Sequence, residues 1–302
     1  FDRRMRQFTG FLFLLGRGLA AGITIYAPAI ILSLVLGWSL NLTIGIMGIL
    51  VIFYTMSGGT TAVSHTQKQQ MIIIMGGLVV AFIILITKLP ADISFSDTVG
   101  VAGKMGKLNI VDFEFDLENK YNMWSALFGG TFLFLSYFGT DQSQVARYLS
   151  GKTLTESRLG LLFNGIFKVP MQFFVLFVGI MVFMFYQFTK PPVHFNPSNL
   201  AKIEADAASQ LELKDLQTKY NLVFEQKQNE IRTMVTALNS ENELMVNQSQ
   251  IALKGLNEQD VKIRKDVDNL LVNYGARTGE KIDIEDNDYV FMSFVTQHLP
   301  IG

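Results

Sequence analysis

Residues 161–188 read LLFNGIFKVPMQFFVLFVGIMVFMFYQF, an apolar run whose one formal charge is Lys168. As a helix rising 1.5 Å per residue, such a run exceeds the roughly 30 Å hydrocarbon core of a bilayer, which about 17–25 residues suffice to cross. Four further stretches of the same character precede it, at about 8–36, 40–56, 69–87 and 123–148. The composition agrees, with 49% hydrophobic residues, a mean hydropathy of +0.30 and 17% charged residues, against about 25% charged in an average soluble domain. An ordinary soluble enzyme is excluded. None of the five spans is expected to be a signal peptide, because several similar spans follow one another and no small-residue cleavage pattern follows the first. The reading is an all-α membrane protein embedded in a lipid bilayer, multi-pass, in the plasma or inner membrane.

Charge outside the spans orients them. Arg3, Arg4 and Arg6 precede the first span, Lys68 lies between the second and third, and Arg147, Lys152 and Arg158 lie between the fourth and fifth. These alternate connections share a side, which the lysine and arginine bias makes cytoplasmic. The connection at 88–122 carries six acids against four lysines, so it and everything after 188 are expected outside. Of the 26 acids in the chain, 17 follow Tyr186, where the material changes. Pro191, Pro192 and Pro197 end the last span, and 198–254 contains neither proline nor glycine. Leu200, Ile203, Leu213, Leu216, Tyr220, Val223, Ile231, Met234 and Leu238 recur at threes, fours and sevens, which suits an amphipathic helix, and a second run holds Ile251, Leu256, Val261, Ile263, Val267 and Leu271. The expectation is an extramembrane helical hairpin at about 198–285 within an external segment, 189–302. A partly disordered polar insert is the alternative.

A net charge of −1 offers no basic field for nucleic acid. The absence of cysteine removes thiolate catalysis and cysteine metal sites. His65, His194 and His298 are scattered and read as surface or loop residues; no phosphate-binding glycine loop exists. No catalytic residue, resident metal or cofactor is expected.

Three charges fall inside spans, where each costs about 2.5–3.5 kcal/mol on insertion scales and so marks a functional candidate. Arg17 either snorkels to the cytoplasmic edge or acts within the membrane. Asp141 and Lys168 are equally far from the centre of the polar turn between spans four and five, so an antiparallel hairpin sets them level, roughly 10 Å in. They form either a structural pair or the wall of one polar cavity. Gly139 precedes Thr140, Asp141 and Gln142, a polar cluster with the makings of a helix break, and interrupted helices supply binding sites in secondary transporters.

Four segments of the chain resemble the solute:sodium symporters, which use the sodium gradient to carry sugars, amino acids, iodide, vitamins and small carboxylates. Ile25-Tyr26-Ala27-Pro28-Ala29 is similar to the family's third core helix, notably in the iodide, multivitamin and monocarboxylate branch. Tyr54-Thr55-Met56-Ser57-Gly58-Gly59 with Ala62-Val63 resembles its Tyr-Thr-x-x-Gly-Gly-x-x-Ala-Val. Gly139-Thr140-Asp141-Gln142 with Val145 and Arg147 resembles a stretch of core helix six, and Leu299-Pro300-Ile301-Gly302 the lead-in to helix eight. The resemblance implies part of a five-plus-five inverted-repeat transporter bundle, with these spans as core helices three to seven and the principal sodium site on helices outside the sequence given. It implies that Thr140, Asp141 and Gln142 contact substrate, with Lys168 near the inner side of the cavity. Where the family has Thr-Asp at a second sodium site, this chain has Thr66-Gln67, which implies one sodium ion per cycle. The expected function is sodium-coupled symport of a small polar or anionic organic solute by alternating access, without enzymatic activity. A symporter-like sensor domain and an ion channel are the alternatives.

Overall fold

The computed structural model describes residues 2–109, 112–116, 122–149, 153–280 and 282–299. Every regular element among them is a helix. The chain divides into two compact units, 1–77 and 78–302.

In the first unit, α1 (Arg3–Leu36) continues through Pro28 and stops at Gly37, whose φ of 68° gives the left-handed cap that glycine accepts at no steric cost. At 34 residues it is about 51 Å long. Its surface is apolar and open, with Phe8, Leu14, Leu19 and Ile23 all exposed, as a lipid-facing helix requires. α2 (Leu40–Thr87) is broken at Gly59, where φ 55° and ψ −150° lie in a region only glycine adopts readily. The break separates two lengths, Leu40–Gly59 and Thr61–Thr87. The polar stretch around Lys68, expected as a connection between spans ending at 56 and starting at 69, is therefore helical. Residues 61–75 contain no proline or glycine, so polarity alone does not end the helix, and the Thr66 hydroxyl folds back onto the Ala62 carbonyl at 2.7 Å.

The second unit takes up the end of α2 from Leu78. α3 (Phe95–Lys104) opens with a reciprocal capping box. The Ser94 hydroxyl accepts from the Asp97 N–H, and the Asp97 carboxylate accepts from the Ser94 N–H and hydroxyl. Those bonds hold the Asp97 carboxyl below its ordinary pKa. The stretch expected as one span at 123–148 is two helices, α4 (Met123–Gly139) and α5 (Gln142–Leu149). α6 (Leu154–Phe188) is long, 35 residues with Pro170 inside.

Among the described residues, four lengths are long and apolar enough to cross a membrane: Arg3–Ser33, Leu40–Gly59, Thr61–Thr87 and Leu154–Phe188; Met123–Gly139 is apolar but shorter.

Beyond α6 come α7 (Pro197–Ala205), α8 (Ala207–Asn239), α9 (Glu243–Thr278) and α10 (Asn287–His298). The pairs Asp206 with Arg277, Tyr220 with Arg264, and Lys227 with Asp260 climb α8 while descending α9, so the two helices are antiparallel. Three apolar clusters hold this part together. Leu213, Leu216, Tyr220, Ile263, Val267 and Leu271 fill the hairpin. Met184, Ile231, Met234 and Leu253 seat it on α6 and on Val101 of α3. Val178, Phe185 and Phe294 bind α6 to α10 and to Ala81 and Leu85 of α2. Around its tip, at Ile231, Met234 and Leu253, the hairpin thus packs on the C-terminal part of α6.

Candidate functional site

The break between α4 and α5 follows from one saturated carbonyl. The Ser136 oxygen accepts from the Thr140 N–H at 3.1 Å, the Asp141 N–H at 3.1 Å and the Thr140 hydroxyl at 2.8 Å. With three donors converging on it, α4 closes. The Asp141 carbonyl then starts α5, accepting from the N–H groups of Gln144 and Val145 at 3.0 and 2.9 Å. α5 does not continue the direction of α4. The Tyr148 hydroxyl donates to the Phe138 carbonyl at 3.2 Å and the two rings lie 6.5 Å apart, although ten residues along a straight helix would span about 15 Å. α5 is folded back on the end of α4.

This reversal and α6 enclose a cleft of about 500 Å³. Tyr137, Phe138 and Tyr148 give it aromatic walls, and Gln144, Glu156, Asn164 and Lys168 its polar groups. Pro170, two residues past Lys168, removes the N–H that would bond the Ile166 carbonyl, freeing an acceptor on the helix that carries the lysine. The arrangement offers a cation, an anion, two amides, the Ser157 hydroxyl and aromatic faces, which suits a small polar or charged solute.

The structure sorts the expected site residues. Lys168 is exposed on the cleft wall. Thr140, Asp141 and Gln142 sit at the helix break, with Asp141 half-buried and the other two exposed, and none of them lines the cleft. Gln144, two residues beyond, does so. Thr66 and Gln67 lie in the first unit, on the Thr61–Thr87 length, Thr66 half-buried and Gln67 exposed. Arg17 is exposed on α1 with its guanidinium 5.4 Å from the Phe13 ring centroid. No group of three or more His, Cys, Asp or Glu side chains among the described residues could hold a metal ion.

A second polar cluster escaped the sequence reading. His194 lies in a loop, but it is only 1% exposed, so its placement on the surface is corrected. Its Nδ1 stands 3.3 Å from Asp286 and 3.6 Å from Asp268, and its Nε2 is 3.1 Å from the Asn199 amide nitrogen. Carboxylates only accept, so Nδ1 carries the proton and Nε2 accepts from Asn199. Burial lowers the imidazole pKa, Arg264 adds to this, and the two carboxylates oppose it. Burial also raises the Asp268 carboxyl and pushes the Tyr220 hydroxyl to about 12. Beside this cluster Lys227, 5% exposed, meets Asp260. The signal for Lys227 was present: it takes the four-residue step between Val223 and Ile231 that otherwise belongs to core positions.

A multi-pass helical chain with a broken helix beside a polar cleft defines a membrane protein built around a solute-sized cavity. A model of the sodium:solute symporter family matches residues 8–220, and the chain belongs to that family, whose members are integral membrane proteins. Over 190 residues it is 32% identical to the human (Homo sapiens) sodium/iodide cotransporter, covering 62% of this chain and 28% of that protein. It is 31% identical over 165 residues to the Mus musculus sodium-coupled monocarboxylate transporter 2, covering 54% and 26%. To the Oryctolagus cuniculus sodium-dependent multivitamin transporter it is 31% identical over 170 residues, covering 55% and 26%. The chain therefore spans about a quarter of the length of these relatives. No solved structure matches it.

Proposed function

We propose that this chain is part of a sodium-coupled symporter that moves a small polar or anionic organic solute by alternating access, within a five-plus-five inverted-repeat bundle. The observation that carries the reading is family membership over 8–220 together with a helix broken at Thr140 and Asp141 beside a cleft containing Lys168. The relatives named for iodide, monocarboxylate and vitamin transport place anions high among candidate solutes, and the Lys168 ammonium suits an anion. In this reading Thr140, Asp141 and Gln142 form the polar edge that contacts solute when the break rearranges, and Lys168 sets the charge of the cavity. Residues 189–302 lie on the external side. Gln67, an amide where the family carries an acid, leaves one sodium ion as the coupled cation.

The test is uptake by proteoliposomes containing the full-length protein, with iodide, lactate and pantothenate as labelled probes. Accumulation of at least one probe is expected only under an inward sodium gradient, with a sodium Hill coefficient near one. Uptake unchanged when potassium replaces sodium sinks the coupling, and a Hill coefficient near two sinks the single-ion reading.

A further inference from the structure

A second cavity, of about 420 Å³, lies where the last turns of α6 meet the residues just after α3 and the facing sides of α8 and α9. Its size is that of a small-molecule site. Phe183, Tyr186, Phe195, Tyr220 and Phe224 form its apolar wall. Its polar groups are Lys107, Gln187, Lys227, Asn257, Asp260 and Arg264, with the hydroxyls of Tyr186 and Tyr220, so three cations face a single carboxylate.

That carboxylate is already taken. Asp260 accepts from Lys227 through one oxygen at 2.7 Å and from Arg264 Nε through the other at 3.1 Å. The remaining Arg264 nitrogens donate to the Val193 carbonyl and the Tyr220 hydroxyl at 3.2 and 2.7 Å. Lys107 has no carboxylate partner among the described residues; its ammonium rests 4.5 Å from the Phe183 ring centroid at an exposed position. The cavity is therefore short of negative charge. It also holds two buried polar atoms without a hydrogen-bond partner among the described residues, the Tyr186 hydroxyl and Gln187 Oε1. Gln187 is 5% exposed, its Nε2 donates to the Phe183 carbonyl at 3.4 Å, and its Oε1 has no hydrogen-bond partner among the described residues. A desolvated acceptor without a donor is unfavourable, and a ligand hydroxyl relieves it.

We propose that this cavity binds a small 2-hydroxycarboxylate with an aromatic-sized apolar body. The carboxylate pairs with Lys107 and Lys227, the hydroxyl donates to Gln187, and the body packs among the aromatic side chains. An amino acid fits less well, because its ammonium adds a fourth cation where no free carboxylate exists. The inference stands apart from the transport reading, since this cavity shares no lining residue with the α4–α6 cleft.

The experiment is isothermal titration of the full-length protein in lipid nanodiscs with 3-phenyllactate, 3-phenylpropionate and phenylalanine. Saturable binding of phenyllactate is expected, with phenylpropionate and phenylalanine each weaker by about tenfold, the order of one lost hydrogen bond or one misplaced charge. Lys107→Gln, at an exposed position that folding tolerates, weakens both hydroxyl-bearing and hydroxyl-free acids by similar factors. Gln187→Leu reduces phenyllactate to the level of phenylpropionate and leaves phenylpropionate unchanged. Absence of saturable binding, equal affinity for the two acids, or a loss that follows Lys168→Met and not Lys107→Gln each overturns the proposal.

Discussion

The Lys227 ammonium meets the Asp260 carboxylate at 2.7 Å inside the α8–α9 hairpin, and Arg264 holds the other oxygen of the same carboxylate. The two ends of the pair are not equivalent. Removing Lys227 leaves Asp260 still neutralised by Arg264, and a methionine there fills a core position with apolar atoms. Removing Asp260 strands a buried ammonium and a partly buried guanidinium together. Asp260→Leu is therefore expected to cost about 3–5 kcal/mol, the range for breaking a buried pair by deleting one partner, whereas Lys227→Met costs far less or stabilises. Thermal unfolding of the purified chain, followed by circular dichroism, measures both. A Lys227→Met variant as damaging as Asp260→Leu contradicts the asymmetry.

The buried imidazole of His194 gives the hairpin root a pH dependence. Its folded pKa lies below the ordinary 6.5, first because of burial and then because of Arg264, while Asp286 and Asp268 pull the other way. The unfolded chain then binds the proton more readily than the folded one, so stability is complete above about pH 6.5 and declines as pH falls through that value toward the folded pKa. Asp268, raised by burial, has the opposite sign, its folded form taking the proton first as the solution becomes acidic. The expected outcome is a melting temperature that falls between pH 7.5 and 5.5 in the native chain, with a clearly shallower slope in His194→Gln. Parallel slopes refute the assignment.

Gly59 and Gly58 mark where α2 turns. A Cβ on Gly59 is strained by its φ of 55° whatever the space around it, and a Cβ on Gly58 lies 2.2 Å from the Ala62 Cβ, which has no rotamer to yield. Gly76 meets nothing within 4 Å and is an ordinary helical position. Gly59→Ala is expected to destabilise by about 1–3 kcal/mol and Gly58→Ala to be at least comparably harmful. Gly76→Ala should be neutral or stabilising by about 0.5–1 kcal/mol. Thermal shift of the three variants decides it; equal tolerance of all three means that the kink can be straightened without loss.

Apolar length was the legible part of this protein, because burial in lipid demands an uninterrupted run that composition alone reveals. The reversal at Thr140 and Asp141 was half legible. Gly139 and the polar residues after it flagged a break, but that α5 folds back depends on Tyr148 reaching the Phe138 carbonyl, a contact no spacing rule encodes. Polarity misled at 61–70, where Gln67, Lys68, Gln69 and Gln70 all favour helix once nothing breaks it. His194 and Lys227 were missed for a shared reason: each is buried only because a partner remote in sequence, Asp286 for one and Asp260 for the other, makes burial tolerable.

Asp141 and Lys168 remain the test of the transport reading. Their equal distance from the turn between spans four and five suggested a pair at one depth. Lys168 lines the α4–α6 cleft while Asp141 lies at the break between α4 and α5, and separate roles are the reading to be tested. Lys168→Met deletes the cleft's cation, and an anionic solute should lose affinity: KM rises about tenfold or more, the order of one charge-assisted contact, with little change in maximal rate. Asp141→Asn keeps the backbone bonds that end α4 and start α5 but discharges the break. It should lower maximal rate more than it raises KM, because the break must rearrange during the cycle. In the double variant the two losses should multiply. Recovery of folded yield and of transport together in the double variant means that the two charges are a structural pair, and the assignment of separate roles is then wrong.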